Sequence, residues 1–163
     1  MLRFLRHLLT PFWFLRLRYP QELLKRIEAR IAQIERTHPG ELRFAVEHAL
    51  EVGDLLAGLT VRERALEVFG LLRVWDTEHN NGVLIYVLEA EHAVEIVADR
   101  GLARIVPQEE WEAVCRLVEA EFRAGRHGQG AMAAIDGAAA LLEKYFPAGT
   151  AARNELPDQP LLL

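Results

Sequence analysis

Gly82-Val83-Leu84-Ile85-Tyr86-Val87-Leu88-Glu89 decides the fold of this chain. An almost unbroken apolar run of strand length, bounded by a glycine and a carboxylate, marks a β-strand buried on both faces. A strand of that kind needs helices on both sides of its sheet. Downstream, Ala90-Glu91-His92 is a tight turn, and Ala93 to Ala98 has the composition of an antiparallel return strand. Upstream, Glu41-Leu42-Arg43-Phe44-Ala45-Val46-Glu47 alternates with period two, with Leu42, Phe44 and Val46 on its more apolar face.

The segments between these strands have helical periodicity. Pro20 opens a helix through Leu23, Leu24, Ile27, Ile31 and Ile34, which ends near His38-Pro39-Gly40. Thr60-Val61-Arg62-Glu63 carries a capping-box pattern, and Val61, Ala65, Val68, Phe69 and Leu72 continue its stripe. The intervening stretch with Gly53 and Gly58 reads as loop. Pro107 opens a helix through Trp111, Val114, Cys115, Val118 and Phe122, and a last helix runs from about Gly130 to Phe146, with Met132, Ile135, Ala139, Leu142 and Phe146 as core positions. A right-handed crossover makes the first two strands parallel, and the turn makes the third antiparallel to both. The expected fold is a three-layer α/β/α sandwich with a small mixed sheet flanked by helices. Residues 1–19 form a basic amphipathic arm, 20–147 the domain, and 148–163 an irregular tail, with room for one more strand in the segments left unassigned.

Of the net charge of −5, four positive charges fall on residues 1–18 (Arg3, Arg6, Arg16, Arg18), leaving −9 for the remainder. That acidic body is a poor partner for nucleic acid, so none is expected. Cys115 is the only cysteine, which excludes an intramolecular disulfide and multi-cysteine zinc, and its helical spacing points to a core position. The arm has no run of about 20 apolar residues that could span a bilayer and no signal-peptide pattern. Leu5, Leu8, Leu9, Phe12, Trp13 and Leu15 with the arginines can instead lie on an anionic membrane surface, although Pro11 weakens a continuous helix. Packing of the arm on the domain, or on a second copy as a homodimer, is the alternative. The expected place is cytoplasmic, peripheral on the membrane.

The topology brings Glu41, the 76–81 loop and Asp99 to one edge of the sheet. Carboxylate and amide oxygens from several loops suit a hard cation, so Asp76, Glu78, Asn80, Asn81 and Asp99 are the candidate ligands for calcium or magnesium. The competing explanations are turn chemistry for Asn80-Asn81-Gly82, a cap at Asp76, and pairing of Asp99 with Arg100 or Arg104. At the opposite edge, Glu47, His48, Glu89, Glu91 and His92 are expected as a solvated charged rim, with zinc as the less favoured reading. Arg43, Glu47 and Glu95 are expected to share an ion-pair network. His7, His38, His79 and His127 are expected at the surface or in caps. No phosphate loop, nucleophile elbow or His-Glu-x-x-His helix is present, so no catalytic residues and no organic cofactor are assigned.

Gly40 to Val46, Arg62-Glu63-Arg64-Ala65 with Glu67-Val68-Phe69, Thr77-Glu78 with Asn81 to Tyr86, and Glu95 to Gly101 resemble the TPM domain in order and spacing. The likeness continues through Trp111, Phe122 to Gly125 and Phe146-Pro147. The resemblance implies an α/β/α sandwich. Family members include thylakoid-lumen proteins linked to photosystem II repair, a receptor modulator and bacterial envelope proteins, and divalent-cation binding and weak acid-phosphatase activity are attributed to some. Asn80-Asn81 and Asp99 to Gly101 match the family's two polar loops, with Asp99-Arg100-Gly101 where Gly-Tyr-Gly is commoner. The expected function is a non-catalytic interaction or assembly module with a protein partner, stabilised by a divalent cation and peripheral on a membrane. The alternative is a low-activity, metal-dependent acid phosphatase.

Overall fold

Strand β1 (Glu41–Glu47) needs hydrogen-bonding partners on both sides, and the computed structural model, which describes residues 1–145 and 154–163, supplies them from distant segments. In chain order the elements before it are α1 (Leu2–Leu8), α2 (Trp13–Arg18) and α3 (Gln21–Glu35). After it come α4 (Val52–Ala57), α5 (Val61–Leu71), β2 (Gly82–Leu88), a 3-10 turn (Glu89–Glu91), β3 (Ala93–Ala98), α6 (Arg100–Ala103), α7 (Gln108–Arg123), α8 (His127–Tyr145) and β4 (Leu161–Leu162). The sheet order is β3-β2-β1-β4. β1 and β2 are parallel, with Glu41 opposite Gly82, and β3 returns antiparallel to β2, with Ile96 opposite Ile85.

Period two sorts the strand residues onto two buried faces. Phe44, Ile85 and Ile96 meet Ile27 and Ile31 of α3, Trp111 and Phe122 of α7 and Ile135 of α8 in one apolar layer. Ala45, Leu84, Tyr86 and Val97 meet Leu55 of α4 and Ala65 and Val68 of α5 in the other. These two layers establish the α/β/α sandwich. Each large apolar side chain taken fully out of water contributes roughly 1.5–3 kcal/mol, so the strand registers are fixed by which residues they bury.

Gly82 is required by packing. A Cβ there would lie 2.0 Å from the Val74 carbonyl oxygen, so the segment leaving α5 can cross the start of β2 only over a glycine. The capping box at Thr60 forms as its sequence pattern implies: Thr60 Oγ1 accepts from the Glu63 N–H, and the Glu63 carboxylate accepts from the Thr60 N–H.

Three segments differ from the sequence expectation. The stretch containing Gly53 is the helix α4, held by buried Leu55 and stopped by Gly58 at φ 77°. A short α6 follows Asp99, which caps it. The C-terminal segment, expected to be irregular, ends in β4, pairing Ala45 with Leu161 and Val46 with Leu162. Side chains of β1 tie down the chain before it: Glu41 Oε2 accepts from the N–H groups of Glu155 and Leu156, and Arg43 Nη1 donates to the carbonyls of Pro157 and Gln159. An open edge on a strand buried on both faces would leave backbone groups unpaired. The expected core position Phe146 lies outside the described residues.

Glu35, at the end of α3, accepts the Leu42 N–H at 2.7 Å, and its other carboxylate oxygen is buried without a partner. Burial pushes this carboxyl up to about 9 from an ordinary 4.5. The folded state therefore keeps a proton that the unfolded chain releases near pH 4.5. The group subtracts stability progressively as pH rises from about 4.5 to about 9. Glu35→Gln should raise the melting temperature at pH 8 and leave it level or lower at pH 4. Parallel melting curves for the two proteins across that range would contradict this.

Candidate functional site

The edge formed by the starts of β1 and β2 and the end of β3 gathers three of the five predicted cation ligands. Asn80, at φ 52°, accepts the Gly101 N–H on its carbonyl and the Arg100 Nε–H on Oδ1 at 2.7 Å. Asn81 donates Nδ2–H to the Pro39 carbonyl, takes its backbone partner from Thr77 Oγ1, and keeps Oδ1 buried with no partner. Asp99 donates its N–H to the Gly82 carbonyl at 2.8 Å and accepts the Arg100 N–H on Oδ1, while Oδ2 is likewise buried without a partner. Asp76 and Glu78 do not join them. Asp76 pairs with Arg73 at 2.6 Å on the surface, and Glu78 is exposed, its N–H donating to the Glu155 carboxylate.

Two orphaned oxygens, both hard, are what a calcium or magnesium ion would seek. Against this, the guanidinium of Arg100 already engages Asn80, and Asp99 is the one carboxylate of the three. Among the described residues no group of three or more His, Cys, Asp or Glu is placed to hold a metal ion. What this edge offers is two unpartnered oxygens, Asn81 Oδ1 and Asp99 Oδ2, with Asn80 beside them.

The opposite edge is neither a zinc cluster nor a solvated rim, because the N-terminal arm covers it and each carboxylate has a separate partner set. Glu89 is buried at 2% exposure. Its Oε1 accepts from Tyr19 Oη at 2.7 Å and His127 Nδ1 at 3.1 Å, and its Oε2 from Arg18 Nη1 at 2.5 Å. Burial alone would raise its carboxyl pKa, but His127, Tyr19 and Arg18 outweigh that and hold it below the ordinary value. Glu91 Oε1 accepts from Arg3 Nε at 2.8 Å and His7 Nε2 at 2.9 Å, while His7 Nδ1 accepts the Leu50 N–H. Glu47 takes a bidentate pair from Arg64 and a short bond from the Tyr86 hydroxyl. His48 donates to the Leu163 carbonyl.

The expected network of Arg43, Glu47 and Glu95 divides in the same way. Arg43 serves the tail carbonyls, and Glu95 pairs with Arg62 at 3.2 Å. His7, His38 and His127 are buried, contrary to the surface positions expected of them; His79 is exposed. His38 does cap its turn, Nδ1 accepting the Gly40 N–H. Cys115 packs against the core as expected, and burial pushes its thiol up to about 12, far from a reactive thiolate.

Arm and domain are thus one packed unit. Leu15 and Tyr19 are buried in the layer that contains α3. The arm breaks at Pro11 into α1 and α2, and its other side chains turn outward: Leu5, Leu8, Leu9, Trp13 and Leu17 are each at least half exposed. Arg6 and Arg16 are exposed too, and neither makes an ion pair among the described residues. Sequence reasoning missed Glu89 as the anchor of the arm, although its position at the end of an apolar strand was a local hint of burial.

The family model of the TPM domain matches residues 20–141. The BA42 protein of the psychrophilic bacterium Bizionia argentinensis, solved by NMR, is 30% identical with a TM-score of 0.75, covering 87% of this chain and 93% of that one. The N-terminal domain of a P. gingivalis protein, also solved by NMR, is 17% identical with a TM-score of 0.62 over 76% of each chain, and shares the fold. No curated protein matches the chain. With three quarters of its length matched by the family model and a 30%-identical relative of the same architecture, the chain belongs to the TPM domain family.

Proposed function

We propose that this TPM domain is a non-catalytic interaction module held at an anionic membrane surface by residues 1–19. The observation that carries the proposal is the exposed set on the arm: Leu9, Trp13 and Leu17, together with Arg6 and Arg16, which make no ion pair among the described residues. Apolar side chains flanked by arginines suit the headgroup boundary of a bilayer. No helix of the described residues is long and apolar enough to cross one. Self-association through the same face is less favourable, because a two-fold contact pairs a patch with itself and would bring Arg6 and Arg16 of both copies together. The acidic remainder of the chain, at −9, is left for a protein partner. Support for a non-catalytic role comes from the use of these groups in packing: Glu47 and Glu89 take structural donors on both carboxylate oxygens, Glu91 takes two on Oε1, and Cys115 is held as a thiol.

Flotation with vesicles tests the attachment. Binding is expected to vesicles containing phosphatidylglycerol, weakly or not at all to neutral ones, and should fall with added salt. Each basic residue near such a surface contributes about 1 kcal/mol, so Arg6→Ala with Arg16→Ala should weaken binding roughly 30-fold. Failure of the wild-type protein to float, or flotation indifferent to the double substitution, would refute the attachment.

A divalent cation at the other edge is the second reading, favoured by the unpartnered Asn81 Oδ1 and Asp99 Oδ2. Asn80, Asn81 and Asp99 would hold calcium or magnesium and so brace the 76–81 loop against α6. When bound, such an ion could also supply the Lewis acidity that a metal-dependent acid phosphatase needs. Calorimetric titration of calcium, then magnesium, should show weak binding, on the order of 10⁻⁴–10⁻³ M, lost in Asp99→Asn. No heat with the wild-type protein, or equal binding by the variant, would remove both the cation and the phosphatase.

A further inference from the structure

Between α1 and α4 runs a preformed apolar groove. Its volume is 680 Å³, and its walls are mainly Leu2, Leu5 and Leu8 on one side and Leu50, Val52 and Leu55 on the other. Two cross-links hold the walls apart at a fixed spacing: His7 Nδ1 accepts the Leu50 N–H at 2.9 Å, and Arg3 Nη2 donates to the Leu59 carbonyl at 2.7 Å. Leu2, Leu8 and Val52 are each at least 60% exposed, so the groove opens to solvent along apolar side chains. Such exposed apolar surface on a well-tied element marks a binding site.

We infer that this groove receives one acyl chain of a membrane lipid, an inference that rests on the membrane attachment proposed above for the source of the chain. The size decides against a protein occupant. Fourteen residues line the groove, fewer than the roughly 20–30 per side of a standard protein interface, whereas its volume falls within the ~300–1,000 Å³ of cavities that take a single small ligand. The lining decides the chemistry. His7 spends both ring nitrogens on Leu50 and Glu91, the Thr10 hydroxyl bonds to the Arg6 carbonyl, and His48 bonds to Leu163. The walls therefore offer little to a polar ligand, and Glu51 is the one carboxylate on them. A hydrocarbon chain fits that lining. Glu51 disfavours entry of an anionic headgroup, which would stay outside; of the arm's arginines, Arg3 and Arg18 are committed to Glu91 and Glu89, whereas Arg6 and Arg16 are exposed and make no ion pair among the described residues. The arm would then attach in two ways at once: its outer side chains and arginines against the headgroups, and the groove around one chain drawn from the bilayer.

The test uses straight-chain alcohols from hexanol to dodecanol, without vesicles, followed by the amide shifts of Leu50, Val52 and Leu55. Affinity should rise about fourfold per methylene and then level off at the length that fills the groove. Val52→Trp, which plugs the groove from an exposed wall position, should weaken binding at least tenfold. Absence of binding, affinity that climbs through dodecanol without levelling, or equal binding by Val52→Trp would overturn the inference. Flotation of the wild-type protein separates this from the membrane reading. Flotation without alcohol binding overturns the groove alone, and alcohol binding without flotation removes the membrane as the source of the chain and with it the proposal.

Discussion

The buried carboxylate of Glu89 is the interaction on which the rest of the molecule depends. Taking a carboxylate out of water costs several kcal/mol unless donors replace the lost hydration. Here three do: Arg18, Tyr19 and His127. Hydrogen bonds to a charged group are worth about 1.5–3 kcal/mol each, so the set can offset the desolvation only when complete. Completeness requires the arm to be docked, since Arg18 and Tyr19 belong to it, and requires α8 to begin where it does, since His127 is its first residue. One side chain at the end of β2 thus fixes the arm, the strand and the last helix against each other.

Docking has a consequence for the surface. With Leu15 and Tyr19 buried and Arg3 and Arg18 committed to Glu91 and Glu89, the remaining arm residues have one direction left to face. Leu9, Trp13, Leu17, Arg6 and Arg16 project outward because the inward positions are taken. The sheet shows the same economy: β1 is paired by β2 on one side and by the tail on the other, with Glu41 and Arg43 binding backbone groups of the tail rather than each other.

The fold was legible where a local period carries the information. β1 and β3 begin and end where alternation and turn residues place them, β2 ends one residue early, and the capping box at Thr60 forms. The parallel and antiparallel pairings follow from crossover handedness and turn length. What was not legible depends on partners far apart in sequence. Nothing near Glu89 announces Tyr19, 70 residues away, nor does anything near His7 announce Glu91, 84 residues away. α4 was hidden because Gly53 and Gly58 outweigh its single buried leucine, and β4 because a strand of two residues has no period. At the polar edge, sequence placed Asn80, Asn81 and Asp99 together correctly; it could not foresee that Arg73 would take Asp76 away.

Amide hydrogen exchange at Leu50 tests the docked arm most directly. That N–H donates to His7 Nδ1, so it is shielded through a hydrogen bond only while the arm is in place. Slow exchange at Leu50, approaching that of the β2 amides, is the expected result. Exchange at the rate of an open chain while β2 stays protected would mean that the arm is not fixed to the domain, and neither the outward face nor the groove beside it would then exist as described.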